Sequence, residues 1–563
     1  MEAFNRIKHL VDSFGSCPVD LCAGFLRLTA AQSCGKCAPC RAGLDRIAAA
    51  LERILAGEGG DLAELRRVAQ SVYDAADCAI GFEAGRLVLD CLEAFADDFA
   101  AHAAGGACTV TPVAVPCQKG CPAHVDVPGY LACIAADRCD DAVRIIRRRN
   151  PFASACGLVC EHPCETSCRR NVVDDAVNIR ALKRYAVERA GVVPPPKALP
   201  KNGKAVGVVG GGPAGLTAAW FLALAGFEVT VFEKREKLGG MLRYGIPDYR
   251  LPPADLDRDI AAILGVGVKA ECGVAVGTDV SFDDFRKRFD AVYLSIGAHG
   301  AKSLRLPGED AEGVLSAVEL LREAKADFRG KRVVIVGGGN VAMDATRTAR
   351  RLGAKSVTCV YRRRIADMTA LPDEIAGAQA EGCEIVQLMA PVRVATEGGR
   401  VVGLVVQPQI VGPIKDGRPA PVAANRPEET IPCDVIVSAI GQRVDATGLA
   451  LEKSEGVFVG GDCDYGPSTA VRAIAAGAEA ADEIAAFLGA ALEYPEAPVE
   501  VPPPGRARLR WGRVNPTERS AAERQGDFEI MERVLTDEEA LQECSRCLRC
   551  DRCGYGAFRG SEA

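Results

Sequence analysis

The sequence lacks the features of a nucleic-acid-binding or membrane-inserted protein. Its 68 Lys and Arg residues are outnumbered by 75 Asp and Glu residues, and a net charge of −7 gives no basic surface for nucleic acid. The first residues, MEAFNRIKHLVDSFGSC, have no uninterrupted apolar core of the kind that a secretory signal needs. Ala205–Phe227 carries no charge, but its glycine run and its change from period 2 to period 3.6 indicate a strand and a helix. We therefore expect a cytoplasmic protein that neither binds nucleic acid nor inserts into a membrane.

Cysteine is scarce over most of the chain and dense at its two ends. Of 25 cysteines, only five lie between Arg169 and Glu543, whereas sixteen fall in three groups, at Cys34–Cys78, Cys117–Cys168 and Cys544–Cys553. Thiolates at short spacings are typical of iron–sulfur clusters, and zinc is the alternative for any one group. Disulfides are not expected in a reducing compartment.

Length and composition indicate several soluble domains. The chain has 563 residues, of which 48% are hydrophobic and 25% are charged, as in ordinary globular proteins. A chain of this length is expected to divide into three or more domains.

The most informative stretch is a glycine-rich unit at 204–233. An apolar run at 205–209 leads into Gly210-x-Gly212-x-x-Gly215, and a buried helix and a second strand follow, ending at Glu233. In this order the glycines allow a tight turn, close approach of a pyrophosphate and close packing of helix and strand, while the acid reaches a ribose hydroxyl. The pattern predicts a dinucleotide-binding unit; a plain glycine turn is the alternative.

A second unit of the same kind begins at Lys331. It offers Gly337, Gly339, Asn340 and Ala342 at the turn, but its second strand ends in Tyr361-Arg362-Arg363-Arg364 instead of an acid. Guanidinium groups suit the 2′-phosphate of NADP, whereas an acid would hold the 2′-hydroxyl of NAD. We therefore predict NADP(H) bound near Arg362 and Arg363, with a solvated arginine turn as the alternative.

The first hundred residues carry a cluster motif. Cys34-x-x-Cys37-x-x-Cys40 is followed by Cys78, three thiolates on one turn with a distant fourth. This stretch resembles the C-terminal cluster domain of the NADH-binding subunit of complex I-type dehydrogenases and NAD-linked hydrogenases. The resemblance implies a [4Fe–4S] electron relay without its own flavin; a zinc-stapled helical domain is the alternative.

The next cysteine group, in PCQKGCP and CGLVCEHPCETSC, resembles the N-terminal cluster domain of the glutamate synthase small subunit. Dihydropyrimidine dehydrogenase and the large subunit of NADH-dependent ferredoxin:NADP oxidoreductases share this domain. The resemblance implies that Cys117 and Cys168 are ligands of one [4Fe–4S] cluster, and that Cys121, Cys160 and Cys164 are ligands of another.

This chain departs from those relatives at two places. They have two further cysteines shortly before the position of Cys117, and here only Cys108 is present, at a different spacing. They also use a Glu or Gln ligand where this chain has Lys183, which cannot be a ligand while charged. Cys156 matches a cysteine that is not a ligand. We expect one cluster, or two with altered ligands; a helical docking domain without metal is the alternative.

The same family resemblance extends over the flavin domain. It implies that the loop Leu238–Pro252 lies against the flavin ring, that the strand ending in Gly297 returns to the cofactor, and that Asp462 binds the ribityl chain at the start of a helix that faces the flavin. The residues taken to bind FAD are Gly210, Gly212, Gly215, Glu233, Gly240, Arg243, Ile246, Gly297, Asp462, Thr469 and Ala470.

The chain ends in a third cysteine group. Cys544, Cys547, Cys550 and Cys553 are spaced by three and suit a further cubane, alone or with help from elsewhere. A zinc-bound or partly unliganded tail is the alternative.

Together these patterns predict an α/β protein with two nested Rossmann-like domains, two helical iron–sulfur domains before them and a cysteine-rich tail. We expect FAD, NADP(H) and two to four [4Fe–4S] clusters. The predicted domains are the complex I-type cluster domain at 1–105, the second cluster domain at 106–200, the FAD domain at 201–320 and 441–498, the inserted NADP(H) domain at 321–440, and a linker and tail at 499–563.

The predicted activity is an NADPH-linked flavin and iron–sulfur oxidoreductase acting as a subunit of a larger complex. Nicotinamides move electrons in pairs and clusters move them singly, and a flavin does both. The first domain suggests a ferredoxin-like, hydrogenase, formate dehydrogenase, complex I-like or bifurcating transhydrogenase partner. The alternatives are a glutamate synthase small subunit-like NADPH dehydrogenase and a non-catalytic redox sensor or assembly scaffold. We name no catalytic proton-transfer residue, because hydride transfer needs none.

Overall fold

The first domain is helical, as the sequence predicts. The structure is a computed structural model that describes residues 2–14, 17–105, 115–323, 325–415, 417–496, 498–502 and 512–551. Its first helices are α1 (Glu2–Phe14), α2 (Pro18–Gln32), α3 (Asp45–Leu55), α4 (Leu62–Ala75), α5 (Ala79–Ala94) and α6 (Ala96–Ala103), with a π-helical turn at Pro39–Leu44. Leucine, isoleucine and valine side chains from these helices form a core separate from the rest of the molecule.

The second cluster domain is a group of short helices. They are α7 (Pro116–Lys119), α8 (Val127–Ala135), α9 (Cys139–Arg147), α10 (Ala153–Val159), α11 (Pro163–Thr166) and α12 (Ile179–Arg189), with a 3-10 turn at Arg169–Val172. The buried side chains of this domain share one hydrophobic core with the flavin domain. An ion pair at 3.2 Å between Arg169 and the buried Asp20 connects it to the first domain.

A parallel five-stranded sheet forms the flavin domain, with strands in the order β16-β4-β1-β2-β3. The last of these strands along the chain, β16, comes more than 160 residues after β4, because the second nucleotide domain is inserted between them. The elements are β1 (Ala205–Val209), α13 (Pro213–Leu224), β2 (Glu228–Glu233), α14 (Met241–Tyr244), α15 (Pro253–Gly265), β3 (Lys269–Cys272), α16 (Phe282–Arg286), β4 (Ala291–Leu294), β16 (Val457–Val459), α20 (Asp462–Tyr465) and α21 (Ala470–Phe487).

The inserted domain has a second parallel sheet, in the order β6-β14-β7-β8-β9, and an antiparallel sheet of β10, β11, β12 and β13 that the sequence analysis did not predict. Its elements are β5 (Gly300–Ala301), β6 (Val314–Ser316), α17 (Ala317–Glu323), β7 (Arg332–Val336), α18 (Asn340–Arg351), β8 (Ser356–Tyr361), a 3-10 turn (Ile365–Asp367), α19 (Pro372–Ala380), β9 (Glu384–Gln387), β10 (Met389–Glu397), β11 (Arg400–Lys415), β12 (Arg418–Ala423), β13 (Glu429–Pro432), β14 (Val435–Ser438) and β15 (Gln442–Arg443).

The C-terminal segment folds back over the second cluster domain. Its helices are α22 (Ala521–Arg524) and α23 (Asp537–Ser545), and both begin with a capping box. The buried carboxylate of Glu543 accepts hydrogen bonds from the backbone N–H groups of Asn178 and Val514, each at 2.7 Å. None of the helices in the described ranges is long and apolar enough to cross a membrane.

A buried cluster of charges joins the C-terminal segment to the inserted domain. Glu381 is 1% exposed and accepts hydrogen bonds from Arg347 at 2.6 Å and Arg351 at 2.7 Å. It also pairs with Arg524 of α22 at 2.9 Å. One carboxylate therefore bridges three buried guanidinium groups, of which Arg347 also pairs with Glu374 and Arg524 with Glu518.

We expect Glu381→Gln to destabilise the protein by about 3–5 kcal/mol, because the buried Arg351 loses its carboxylate partner and Arg347 and Arg524 each lose one of two. Urea unfolding of the FAD-loaded protein measures this. The control is Glu312→Gln, which breaks an ion pair with Arg400 whose two side chains are 70% and 72% exposed, and which we expect to cost about 0–1 kcal/mol. Equal effects of the two substitutions would contradict the importance of the buried cluster.

Candidate functional site

A cavity of about 330 Å³ opens beyond the ends of the flavin-domain strands. Six of the residues predicted to bind FAD line it, which are Gly210, Gly212, Glu233, Gly240, Gly297 and Asp462. They come from four separate segments of the chain, brought together by the parallel sheet. The cavity therefore collects most of the predicted FAD-binding residues in one place.

Glu233 lies at the end of β2, against the glycine-rich turn. Its carboxylate accepts hydrogen bonds from the backbone N–H groups of Gly211 at 2.8 Å and Arg235 at 2.9 Å. The side chain is 7% exposed. Glu233 therefore fixes the turn at the position where a bound dinucleotide would need it.

Two of the glycines are required by the backbone. Gly210 has φ of +109°, and a Cβ atom there would lie 2.4 Å from the carbonyl oxygen of Ser295. A Cβ atom on Gly215 would lie 2.1 Å from the carbonyl oxygen of Gly210. The first glycine permits the turn and the second permits close packing of α13 on β1.

Some of the predicted FAD-binding residues do not line this cavity. Arg243 donates to the carbonyl oxygen of Leu238 at 2.5 Å and pairs with Asp257. Ile246 packs partly buried against the main core. Thr469 caps α21 through the backbone N–H of Arg472 at 3.4 Å, and Ala470 is the first residue of that helix. Their roles in binding FAD stay predictions.

The cavity also contains residues that the sequence analysis missed. His299 lines it, and its buried Nδ1 atom has no hydrogen-bond partner in the described part of the chain. Burial, with smaller effects of Arg235 and Lys234, lowers the pKa of His299 to about 4, so its imidazole is neutral at pH 7. In the sequence, its position two residues after Gly297 was the signal that could have identified it as a cavity residue. Asp445 and Thr447 also line the cavity, and no sequence signal identifies them.

These features fit a flavin dinucleotide. A carboxylate at the strand end suits a ribose, and glycines without side chains suit a pyrophosphate. An unpartnered buried imidazole nitrogen suits the polar edge of a planar ring. Burial raises the pKa of Asp462 to about 6, and its carboxylate accepts from the backbone N–H of Ser468 at 3.2 Å.

The second nucleotide unit has the predicted strand, turn and helix. Gly337 follows β7, Gly339 is the N-cap of α18, and Asn340 and Ala342 lie in its first turn. The side chain of Asn340 donates to the carboxylate of Glu161 at 2.7 Å and accepts from the backbone N–H of Leu371 at 2.9 Å. This asparagine therefore connects the turn to the second cluster domain.

The three arginines after β8 have different environments. Arg364 pairs with Asp367 at 2.8 Å, and Arg363 donates to the carbonyl oxygen of Pro419 at 2.9 Å. Arg362 is exposed and makes no ion pair with any residue that the structure describes. It is the guanidinium group that remains available to a phosphate.

In the first domain, the distant cysteine of the motif, Cys78, lies near Cys40 of the three-cysteine turn. Cys37 accepts hydrogen bonds from the backbone N–H groups of Asp77 and Cys40, which lower its pKa. Burial, a hydrogen bond with the Cys37 thiol and charge on Cys37 and Cys78 together raise the pKa of Cys40 to about 11. Cys34 and Cys78 are exposed. The segment before α5 therefore approaches the turn, and the role of the four cysteines as cluster ligands stays a prediction.

In the second domain, a buried lysine lies among thiols. Cys160 accepts a hydrogen bond from the thiol of Cys156, which lowers the pKa of Cys160 to about 6 despite burial, with Lys183 as a further cause. Burial lowers the pKa of Lys183, but Cys156, Cys160, Cys121 and Cys164 raise it more, so its pKa lies above the ordinary value. Lys183 is therefore a cation at neutral pH, in the middle of this thiol group.

Three further predicted ligands lie near Cys117. Cys168, Cys547 and Cys550 are near it, Cys544 is buried in α23, and Cys553 lies outside the described residues. In the part of the chain that the structure describes, no three His, Cys, Asp or Glu side chains converge closely enough to hold a single metal ion. The ligand assignments of individual cysteines stay predictions.

Comparison with known families matches this arrangement. The NADH-ubiquinone oxidoreductase-F iron-sulfur binding region matches residues 20–102, and dihydropyrimidine dehydrogenase domain II, a 4Fe-4S cluster domain, matches residues 89–192. The pyridine nucleotide-disulphide oxidoreductase family matches residues 204–477. Both cluster regions and the nucleotide-binding region are therefore recognised independently.

Curated relatives match nearly the whole chain. NADP(+)-dependent formate dehydrogenase subunit beta of Moorella thermoacetica is 35% identical over 96% of this chain and 92% of its own length. The chain belongs to this beta-subunit family. NADPH-Fe(3+) oxidoreductase subunit beta of Geobacter sulfurreducens is 34% identical over 93% of this chain and 89% of its own. The glutamate synthase [NADPH] small chain of Escherichia coli is 32% identical over 66% of this chain and 88% of its own.

Membership of the beta-subunit family confirms the main predictions from sequence. The comparisons confirm the resemblance to the complex I-type cluster domain and to the glutamate synthase small subunit, together with the nested α/β fold. They also confirm a flavin and iron–sulfur oxidoreductase with nicotinamide and [4Fe–4S] cofactors. The domain boundaries and the individual site residues stay predictions.

We expect Glu233→Ala to weaken FAD binding, because it removes the acceptor that holds Gly211 and the carboxylate placed for the ribose. A lost hydrogen bond to a charged group is worth about 1.5–3 kcal/mol, or roughly 10- to 150-fold in the dissociation constant. Fluorescence titration of the apoprotein with FAD measures this. Glu271→Ala, at an exposed position on the neighbouring strand, is the control, and equal affinities would refute the role of Glu233.

We expect Lys183→Met to shift the midpoint potential of one cluster to more negative values, because the reduced cluster loses a nearby positive charge. The shift in potential corresponds to an energy on the order of 1–4 kcal/mol. This is the interaction energy of two unit charges about 4 Å apart, in water at the lower limit and near a protein surface at the upper. An EPR-monitored redox titration measures it. Lys119→Met removes an exposed lysine between Cys117 and Cys121, and a shift as large in this control would show that burial of Lys183 is unimportant.

Proposed function

We propose that the chain accepts electron pairs from NADPH in the cytoplasm and passes them as single electrons through its clusters to partner subunits. One observation carries the proposal: the cysteine-bearing segment of the second domain contacts both nucleotide domains. Asp259 of α15 accepts hydrogen bonds from Ser154 and Ala155 of α10, and Glu161, next to Cys160, accepts from Asn340 of α18. The thiols are thus held against both nucleotide domains.

The residues of this chain position the reactants rather than exchange protons. A bound flavin supplies the conversion between hydride and single electrons. Gly210, Gly212 and Glu233 hold its dinucleotide end, and Asn340 keeps the second turn against the cluster domain. Arg362 binds the 2′-phosphate that distinguishes NADPH from NADH.

The proposed partners are electron-transfer subunits. The relatives that match nearly the whole chain are named as beta subunits of a formate dehydrogenase and of an Fe(3+) oxidoreductase. The region at 20–102, which resembles a cluster domain of a larger NADH dehydrogenase, supports a contact with a further redox subunit. A plain glutamate synthase small chain matches only 66% of this chain, which favours the complex over that alternative.

Anaerobic mixing with NADPH tests the function. We expect the purified chain to contain FAD, to lose the flavin absorbance on addition of NADPH and to develop the EPR signal of reduced clusters. A chain that holds no flavin, or whose flavin NADPH leaves oxidised, would be a scaffold or sensor instead.

We expect Arg362→Ala to raise the NADPH concentration needed for half-maximal flavin reduction by roughly 10- to 150-fold, because a charged hydrogen bond worth about 1.5–3 kcal/mol is lost. Reduction by NADH should be unchanged. The control is Arg364→Ala, since Arg364 is already paired with Asp367. If Arg362→Ala raises the half-maximal concentrations of NADPH and NADH equally, the arginine does not bind the 2′-phosphate.

A further inference from the structure

Cys117 and Cys168 account for only two thiolates of a cluster that needs four. They lie in the second cluster domain, at α7 and immediately before the 3-10 turn. The stretch from 106 to 116 contains one cysteine, Cys108. Sequence neighbours on that side therefore cannot supply both of the missing thiolates.

The C-terminal tail is fastened beside these two cysteines. Arg170, two residues after Cys168, donates to the carbonyl oxygen of Arg546 at 3.2 Å. Arg546 in turn donates to the carbonyl oxygens of Asp175 at 2.6 Å and Ala176 at 3.2 Å. These bonds fix the backbone just before Cys547 against the segment that carries Cys168.

The thiols themselves are close enough to interact electrostatically. Burial raises the pKa of Cys117 well above its ordinary value, and charge on Cys550, Cys547, Cys168 and Cys164 raises it further. Burial also raises the pKa of Cys547, with Cys550 and Cys168 among its charged neighbours. Cys117, Cys168, Cys547 and Cys550 therefore form one group.

Two buried cations lie at the same group. Arg170 and Arg546 are each 1% exposed. Burial raises the pKa of Cys168, and charge on Arg546 partly opposes that rise. A cluster with four thiolate ligands is an anion, and buried anions require nearby cations. Arg170 also pairs with Asp174, and Arg546 with Asp174 and Glu543, so the group lies beside a network of buried charges where the tail meets the domain.

The group suits a cubane better than a single ion. A tetrahedral ion draws its sulfurs to within about 2.3 Å of one centre, and no three described side chains converge in that way. A [4Fe–4S] cube holds its sulfurs at four corners, farther apart, and C-x2-C pairs such as Cys547 and Cys550 are typical ligands.

Of the four cysteines in the group, only Cys547 is a charged neighbour of Cys544. Cys544 is 6% exposed within α23, and its charged neighbours are Cys547, Glu543 and Cys139 of α9. The three tail cysteines that the structure describes are thus divided between a core position and the thiol group.

We propose that Cys547 and Cys550 complete, with Cys117 and Cys168, the ligand set of a [4Fe–4S] cluster that fastens the C-terminal tail to the second cluster domain. This deepens the proposed function, because the cluster would be one member of the electron relay. It adjoins the thiol group around Lys183, since Cys164 is a charged neighbour of Cys117 and of Lys183.

Single Cys→Ala substitutions in the full chain test the ligand set. We expect Cys117→Ala, Cys547→Ala and Cys550→Ala each to lose one cluster's iron per FAD and the same EPR signal. Cys544→Ala and the core control Cys139→Ala should keep both. FAD content and flavin bleaching by NADPH, measured on the same samples, show that each variant is folded and separate this proposal from the proposed function.

The proposal is overturned if Cys547→Ala and Cys550→Ala keep the iron and the EPR spectrum while Cys117→Ala loses them. It is also overturned if Cys544→Ala loses the same signal, because the tail would then hold a cluster by itself. Alkylation of the unmutated protein provides a second measurement. Cys547, Cys550 and Cys117 should become labelled together when the iron is removed by oxidation, and labelling of Cys547 while iron is present would refute its role as a ligand.

Discussion

The arrangement of this protein depends on one buried carboxylate. Asp259 is 0% exposed and accepts the backbone N–H groups of Ser154 at 3.1 Å and Ala155 at 2.9 Å. It thereby caps α10 from a distant helix of the flavin domain, and satisfies donors that a helix start leaves unpaired. Burial raises its pKa to about 6, although both N–H groups lower it. Through this contact the helix that leads to Cys156 and Cys160 is fixed on the flavin fold.

Charge compensation is the second theme of the molecule. Thiolate clusters are anions that must be near the flavin and away from water, so cations have to be buried with them. Lys183 does this among Cys121, Cys156, Cys160 and Cys164. From the sequence, Lys183 indicates only that a ligand of the relatives is absent, because the thiols that surround it in space are distant from it in the chain.

Local patterns could be predicted from the sequence because their physical causes are local. The turns at Gly210 and Gly337 and the acid or arginine at the end of the second strand depend on about thirty consecutive residues. Predicting the lining of the cavity requires contacts between distant parts of the chain. His299 comes before the inserted domain in the sequence, whereas Asp445 and Thr447 come after it. Arg243, which the sequence predicts to bind FAD, forms an ion pair with Asp257 of the following helix α15, a contact that the sequence pattern does not show. The division of the tail cysteines likewise follows from the long-range hydrogen bonds of Glu543 and Arg546.

The central claim is that electrons entering as a pair leave singly through clusters attached to the flavin fold. Freeze-quench EPR after rapid anaerobic mixing with one equivalent of NADPH, followed together with flavin absorbance, tests this directly. The account predicts that reduced-cluster signals rise as the bleached flavin recovers its absorbance. Flavin that stays fully reduced while every cluster stays oxidised would contradict it.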